Sequence, residues 1–189
     1  MAQRDVRPAR QRAFHFDGRS CIGCRSCQVA CKDLHDLPVG VAWRRVDTFE
    51  FGKFPHPEAF HISMSCNHCA ILPCAEACPA VAIYKRPEDG AVILDACLCT
   101  NCRLCEDACP YGAIVFNEAT GTVGKCDLCL GLVAQGEQPA CVGACVMRVL
   151  EFGWLDEMPD DEVPSGRGLP GPEMTEPSLR IIPHRHAKG

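Results

Sequence analysis

Cys99-Thr-Asn-Cys102-Arg-Leu-Cys105-Glu-Asp-Ala-Cys109-Pro110 spaces its cysteines as C-x2-C-x2-C-x3-C, and Cys21-Ile-Gly-Cys24-Arg-Ser-Cys27-Gln-Val-Ala-Cys31 repeats that spacing. Three cysteines two residues apart wrap one compact group in a tight loop. The third and fourth are four apart, so on a helix they share a face one turn along. One group does not readily take both, and the fourth reaches a second group further down the helix. This is the bacterial ferredoxin run, in which the fourth cysteine binds the other 4Fe–4S cluster of a pair. A proline directly after the fourth cysteine, as at Pro110, limits helical continuation.

Two further groups extend the pattern. Cys66-Asn-His-Cys69 is followed by Cys74, Cys78 and Pro79, and Cys126-Asp-Leu-Cys129 by Cys141-Val-Gly-Ala-Cys145. Four groups supply sixteen ligands, the number that four 4Fe–4S clusters require, out of 17 cysteines. Structural zinc uses separated cysteine pairs, often with histidine. Repeated triple cysteines do not fit that, although the Cys126 group alone could pass for a zinc knuckle. Disulfide scaffolds belong to small secreted chains. The stretch MAQRDVRPARQRAFHFD has positive charge but neither an apolar run nor a twin-arginine pattern, so no export signal is expected there.

The exchange of fourth cysteines predicts the ligand sets. The Cys66 and Cys99 groups are close neighbours in the chain and form one two-cluster unit. Cys66, Cys69, Cys74 and Cys109 then hold cluster C, and Cys99, Cys102, Cys105 and Cys78 hold cluster D. By the same logic Cys21, Cys24, Cys27 and Cys145 hold cluster A, and Cys126, Cys129, Cys141 and Cys31 hold cluster B. One ferredoxin-like unit, residues 66–118, is nested inside another made of 13–65 and 119–155, with an insertion at 32–65. Cys97 falls outside the spacing and reads as a small buried apolar side chain, with substitution for a ligand as the alternative.

Hairpin signals follow the inner groups: Val81–Tyr84 with Ala91–Leu94, and Ala113–Phe116 with a short return after Gly121. Ala13–Phe16 and Val149–Phe152 are strand candidates that could pair with each other. Trp43–Val46 and Phe60–Ser63 are strand candidates in the insertion. The fold class is therefore α+β with short hairpins. Residues 156–189, rich in proline and glycine, predict an extended tail, either disordered or wrapped around a partner.

Arg25 and Arg103 occupy matching places. They read either as positive charges that raise a cluster's potential or as plain surface residues. His68 reads as a neighbour of a ligand rather than a ligand, and His184 and His186 carry little signal. Arg44-Arg45 is too internal for an export signal. The net charge of −5, which thiolate ligation deepens, argues against a nucleic-acid partner. No apolar run is long enough to cross a bilayer. No phosphate loop, nucleophile triad or paired catalytic carboxylates are found.

The segments CIGCRSCQVACKD, SCNHC…PC…CP, CTNCRLCEDACPYGAI and KCDLC…PACVGAC resemble the four-cluster iron–sulfur (beta) subunit of dimethyl sulfoxide reductase and related molybdopterin oxidoreductases. The likeness covers roughly residues 13–155. It implies two ferredoxin-like units related by pseudo-two-fold symmetry. It also implies a non-catalytic role, carrying electrons between a large molybdopterin (molybdenum or tungsten) catalytic subunit and a quinone-linked membrane anchor. Some relatives replace one cysteine of the third group and hold a 3Fe–4S cluster; here Cys99, Cys102, Cys105 and Cys109 are all present, so four 4Fe–4S clusters are expected. Val146 departs from the proline usual after the fourth cysteine. The equivalent subunit of a formate dehydrogenase or hydrogenase complex, and a free polyferredoxin, are the alternatives. The complex is expected at the membrane, on the cytoplasmic side or, by co-export with the catalytic subunit, the periplasmic side.

Overall fold

The computed structural model describes residues 8–159 and 168–187. Residues 1–7, part of the stretch in which no export signal is expected, and tail residues 160–167 and 188–189 lie outside the described residues.

Strand β1 (Arg12–Asp17) buries Ala13, Phe14 and Phe16. It sits at the centre of a three-stranded sheet, between β8 (Leu150–Trp154) and β9 (Leu179–Ile182), in the order β8-β1-β9. β8 pairs antiparallel, with Phe14 opposite Phe152, so the two ends of the cysteine-rich region meet as the sequence led us to expect. Helix α1 (Ser26–Leu34) follows the first cysteine loop and buries Cys27 and Cys31. The insertion is a long hairpin of β2 (Arg45–Lys53) and β3 (His56–Met64). It extends the two expected strands because Val46, Phe60, Ile62 and Met64 all turn inward.

The inner region alternates one-turn helices with short hairpins. α2 (Pro73–Glu76) precedes the β4–β5 hairpin (Ile83–Lys85, Val92–Leu94). α3 (Leu104–Ala108) precedes the β6–β7 hairpin (Ile114–Asn117, Thr122–Lys125). α4 (Leu130–Val133) and α5 (Ala140–Gly143) complete the set. α1 packs on α5 and α2 on α3. The resulting molecule is a small α+β fold with few helices.

Two apolar cores form, and cysteine sulfur belongs to both. The larger gathers Phe14, Phe16, Phe60 and Leu128 around Cys27, Cys126, Cys141 and Cys145. The smaller packs Leu72, Ile83, Val92 and Ile114 around Cys105.

The tail corrects the composition argument. Its residues 168–187 are ordered and return to the chain's own sheet. β9 pairs in parallel with β1. A parallel pairing needs a crossover of a dozen or more residues, and the crossover runs over the second cysteine group. Ala70 N–H donates to Glu176 O (2.9 Å), Ile71 N–H to Thr175 O (3.0 Å) and Ser178 N–H to Asn67 O (2.9 Å). His184 and His186 also have work to do. His184 stacks on Phe60 (5.7 Å), His186 lies against Phe51 (4.4 Å), and Arg185 and His186 both reach Glu58.

Candidate iron–sulfur sites

The cysteine loops are shaped by backbone that turns left-handed at corresponding places. The residue before the second cysteine of every group has positive φ: Gly23 (68°), His68 (46°), Asn101 (55°) and Leu128 (64°). That turn aims a main-chain N–H back at the first sulfur. Asn101 N–H donates to Cys99 Sγ and Leu128 N–H to Cys126 Sγ, each at 3.4 Å, and Gly23 N–H does the same for Cys21. Arg25 (61°) and Arg103 (65°) repeat the conformation as they open α1 and α3. Past the fourth cysteine the repetition continues. Val81, Gly112 and Arg148 each donate N–H to the carbonyl of the cysteine three residues back, and each has positive φ (52°, 56°, 53°). Ala82 and Ala113 then donate to Cys78 and Cys109 Sγ at 3.3 and 3.5 Å. Val146 makes the same turn as Pro79 and Pro110, so proline is not needed there. Cys31, followed by Lys32, lacks this turn, and α1 runs on to Leu34.

These turns bring cysteines of different groups together. One cavity is lined by Cys21, Cys24, Cys27 and Cys145, with Phe16 and Val46 on its wall. A second is lined by Cys66, Cys69, Cys74 and Cys109, with Leu72 and Thr175. A third is lined by Cys78, Cys99, Cys102 and Cys105, with Ile83 and Val123. Each brings four sulfurs to a largely apolar wall, so the three suit one kind of occupant. Cys31, Cys126, Cys129 and Cys141 are all buried. Charge on Cys141 and Cys129 acts on Cys31, and charge on Cys141 acts on Cys126. Cys97 lines none of the three cavities and is exposed rather than buried as its spacing suggests, because its N–H is held by Asp95 in a surface turn.

Burial pushes the thiols up, Cys31, Cys69 and Cys74 to about 12 and Cys105 and Cys129 to about 11, and the neighbouring sulfurs add to the effect. Four thiolates this close in an apolar cavity are stable only around a cation of substantial charge. The main-chain N–H donors around them suit an electron-rich sulfur. The donor sets therefore fit thiolate-ligated iron.

Sequence reasoning missed the buried cations. Arg44 is 2% exposed, and Lys85 and Lys125 are each 4%. Lys85 Nζ donates to His68 O and Cys69 O (2.7 and 2.8 Å). Lys125 Nζ donates to Cys126 O (2.8 Å) and to Val92 O. Among the described residues no carboxylate forms an ion pair with any of the three. Lys125 stands in the KCDLC segment, but nothing in the spacing signals burial. Two hydroxyls were also missed. Tyr111 OH lies 2.9 Å from Thr175 Oγ1, which bonds Cys69, and Ser63 Oγ lies 3.4 Å from Cys27 Sγ. Arg25 and Arg103 line the first and third cavities, where Arg103 pairs with Glu106 at 2.8 Å and covers Phe116. His68 is buried and its Nδ1 accepts from Val92 N–H (2.8 Å), which makes it a prop for the loop.

This combination of cysteine loops, short hairpins and sulfur-lined cavities is that of a 4Fe–4S protein, and the family model described as "4Fe-4S dicluster domain" matches residues 58–155. The chain belongs to that family and, within it, to the iron–sulfur subunits of molybdopterin oxidoreductases. It is 38% identical over 188 residues to the B chain of anaerobic dimethyl sulfoxide reductase from Escherichia coli (strain K12), covering 94% of this chain and 91% of that one. It is 33% identical over 205 residues to the B subunit of sulfite dehydrogenase from Allochromatium vinosum (94% and 85%). It is 39% identical over 144 residues to the thiosulfate reductase electron transfer subunit PhsB of Salmonella typhi (75% and 74%). The chain carries 4Fe–4S clusters and transfers electrons; it does not itself transform a substrate. Among the described residues no helix is long and apolar enough to cross a membrane.

Proposed function

We propose that the chain relays electrons through four clusters held by exchanged ligands. Cys21, Cys24, Cys27 and Cys145 hold cluster A, and Cys126, Cys129, Cys141 and Cys31 hold cluster B. Cys66, Cys69, Cys74 and Cys109 hold cluster C, and Cys99, Cys102, Cys105 and Cys78 hold cluster D. The observation that carries this reading is the make-up of the cavities, each walled by three cysteines of one group and the last cysteine of another. The packing of α1 on α5 and of α2 on α3 supports two nested ferredoxin-like units, 66–118 within 13–65 plus 119–155, related by pseudo-two-fold symmetry.

Each cluster, when bound, accepts and passes on one electron. The chain's residues hold the sulfurs, keep water out and set the order. Charge on Cys141 acts on Cys27, and charge on Cys66 acts on Cys126, which supports A beside B and B beside C in the order A–B–C–D. Cys24 and Cys102 are the exposed ligands at the two ends. One end meets a molybdopterin catalytic subunit and the other a quinone-linked anchor, in a membrane-associated complex.

Anaerobic iron and sulfide analysis tests this reading and is expected to give about sixteen irons per chain. Cys145→Ser is expected to remove one electron paramagnetic resonance (EPR) signal, the same one lost in Cys21→Ser, while Cys78→Ser and Cys99→Ser remove another in common. If Cys145→Ser instead removes the signal lost in Cys126→Ser, the exchanged assignment is wrong.

A further inference from the structure

Arg44 lies in the larger core between the cysteines of sets A and B. Its main-chain N–H donates to Cys31. Its guanidinium covers the Phe14 ring at 4.3 Å. Nη1 donates to Ser63 Oγ (3.1 Å) and Nη2 to Ser65 Oγ (2.9 Å). A guanidinium can only donate, so Ser63 Oγ accepts from Arg44 and its own proton is left for Cys27 Sγ, 3.4 Å away. One residue thus touches the ligands of two sets, set B through its backbone N–H and set A through its side chain and the Ser63 hydroxyl.

Both acceptors are neutral, and no carboxylate among the described residues pairs with Arg44. Burying an unpaired guanidinium is costly. The negative charge that acts on it is that of Cys141, Cys126, Cys27 and Cys31, which are ligands of clusters A and B in the reading above. We infer that Arg44 is the shared counter-charge of clusters A and B and, with Ser63, a positioning residue that raises both reduction potentials. The inference rests on the proposed ligand sets. Its physical basis is that each added electron makes a cluster more negative. A fixed positive charge in a low-dielectric site favours that state, and the Ser63 O–H···S bond does the same for cluster A alone.

The test is an anaerobic redox titration followed by EPR on the iron-loaded protein within its complex. The variants are Arg44→Met, Arg44→Lys and Ser63→Ala, with cluster A identified by its loss in Cys145→Ser. Arg44→Met is expected to lower two of the four midpoint potentials by a tenfold change in the oxidised-to-reduced ratio, about 59 mV for one electron. Arg44→Lys keeps the charge and is expected to restore most of that shift. Ser63→Ala is expected to lower cluster A alone, by less. Four unmoved potentials in an Arg44→Met protein with wild-type iron content would overturn the inference while leaving the ligand sets intact. So would a shift shared equally by all four clusters, or a shift in Arg44→Lys as large as in Arg44→Met. Should Arg44→Met fail to load iron, an unmoved cluster A potential in Ser63→Ala together with shifted A and B potentials in Arg44→Lys overturns it. A wild-type iron count far below sixteen, or a Cys145→Ser signal unrelated to that of Cys21→Ser, would instead sink the ligand sets themselves.

Discussion

Val81 holds a β-branched side chain at φ 52° and is 48% exposed. The turn after Cys78 forces that conformation, which costs a non-glycine residue about 1–2 kcal/mol. Asparagine tolerates it, and little burial is lost. Val81→Asn is therefore expected to raise the thermal midpoint of cluster loss by about 2–4 °C, followed anaerobically at the cluster absorption. Gly112, at the matching place after Cys109, is the one sequence clue to this turn. The same holds in the C-x2-C loops, where Gly23, Asn101 and His68 suit left-handed backbone and Leu128 does not. Local propensity alone conceals the repetition, because tertiary packing overrides it at Leu128 and Val81.

The hairpins carry more than their own pairing. Lys85, at the end of β4, ties its strand to the carbonyls of His68 and Cys69 in the second cysteine loop. Lys85→Met would leave buried acceptors without a donor, at about 1–3 kcal/mol. It is expected to lower the denaturant midpoint of cluster loss, whereas Lys53→Met, at the exposed end of β2, is expected to leave it unchanged. The hairpin strands themselves were readable from β-rich runs around glycine. The burial of their lysines was not, since it depends on which loop packs over each strand end. Arg44 is the sharper case, for in sequence it stood only as half of an arginine pair.

At the scale of the whole molecule, sulfur replaces much of the core that large side chains would otherwise fill, since aromatics are only 6% of the chain. Ligand binding and folding are then one process. Anaerobic removal of iron by chelator and oxidant is expected to abolish most of the far-ultraviolet circular dichroism, and iron-free protein that kept its native spectrum would contradict this account. The crossover to β9 is the second whole-molecule feature. Thr175 is 1% exposed, bonded to Tyr111 and Cys69, and part of the wall of the second cavity. Thr175→Val is expected to loosen this strap at a cost of about 1 kcal/mol. Hydrogen exchange at Ala70 and Ile71, whose N–H groups bond to the strap, should quicken before that of β1.

Ligand spacing is a local property, written in the chain as C-x2-C loops and i, i+4 pairs. The sequence by itself therefore determined that this protein holds iron–sulfur clusters, which cysteines are available to them, and where its hairpins lie. Tertiary structure alone decided what surrounds those sulfurs: the buried Arg44, Lys85 and Lys125, the hydroxyls of Ser63 and Thr175, and the return of the tail to β1. Each of these depends on contacts between residues tens of positions apart. A charge or a proline reads as solvent-facing until the segment that covers it, or pairs with it, is in place.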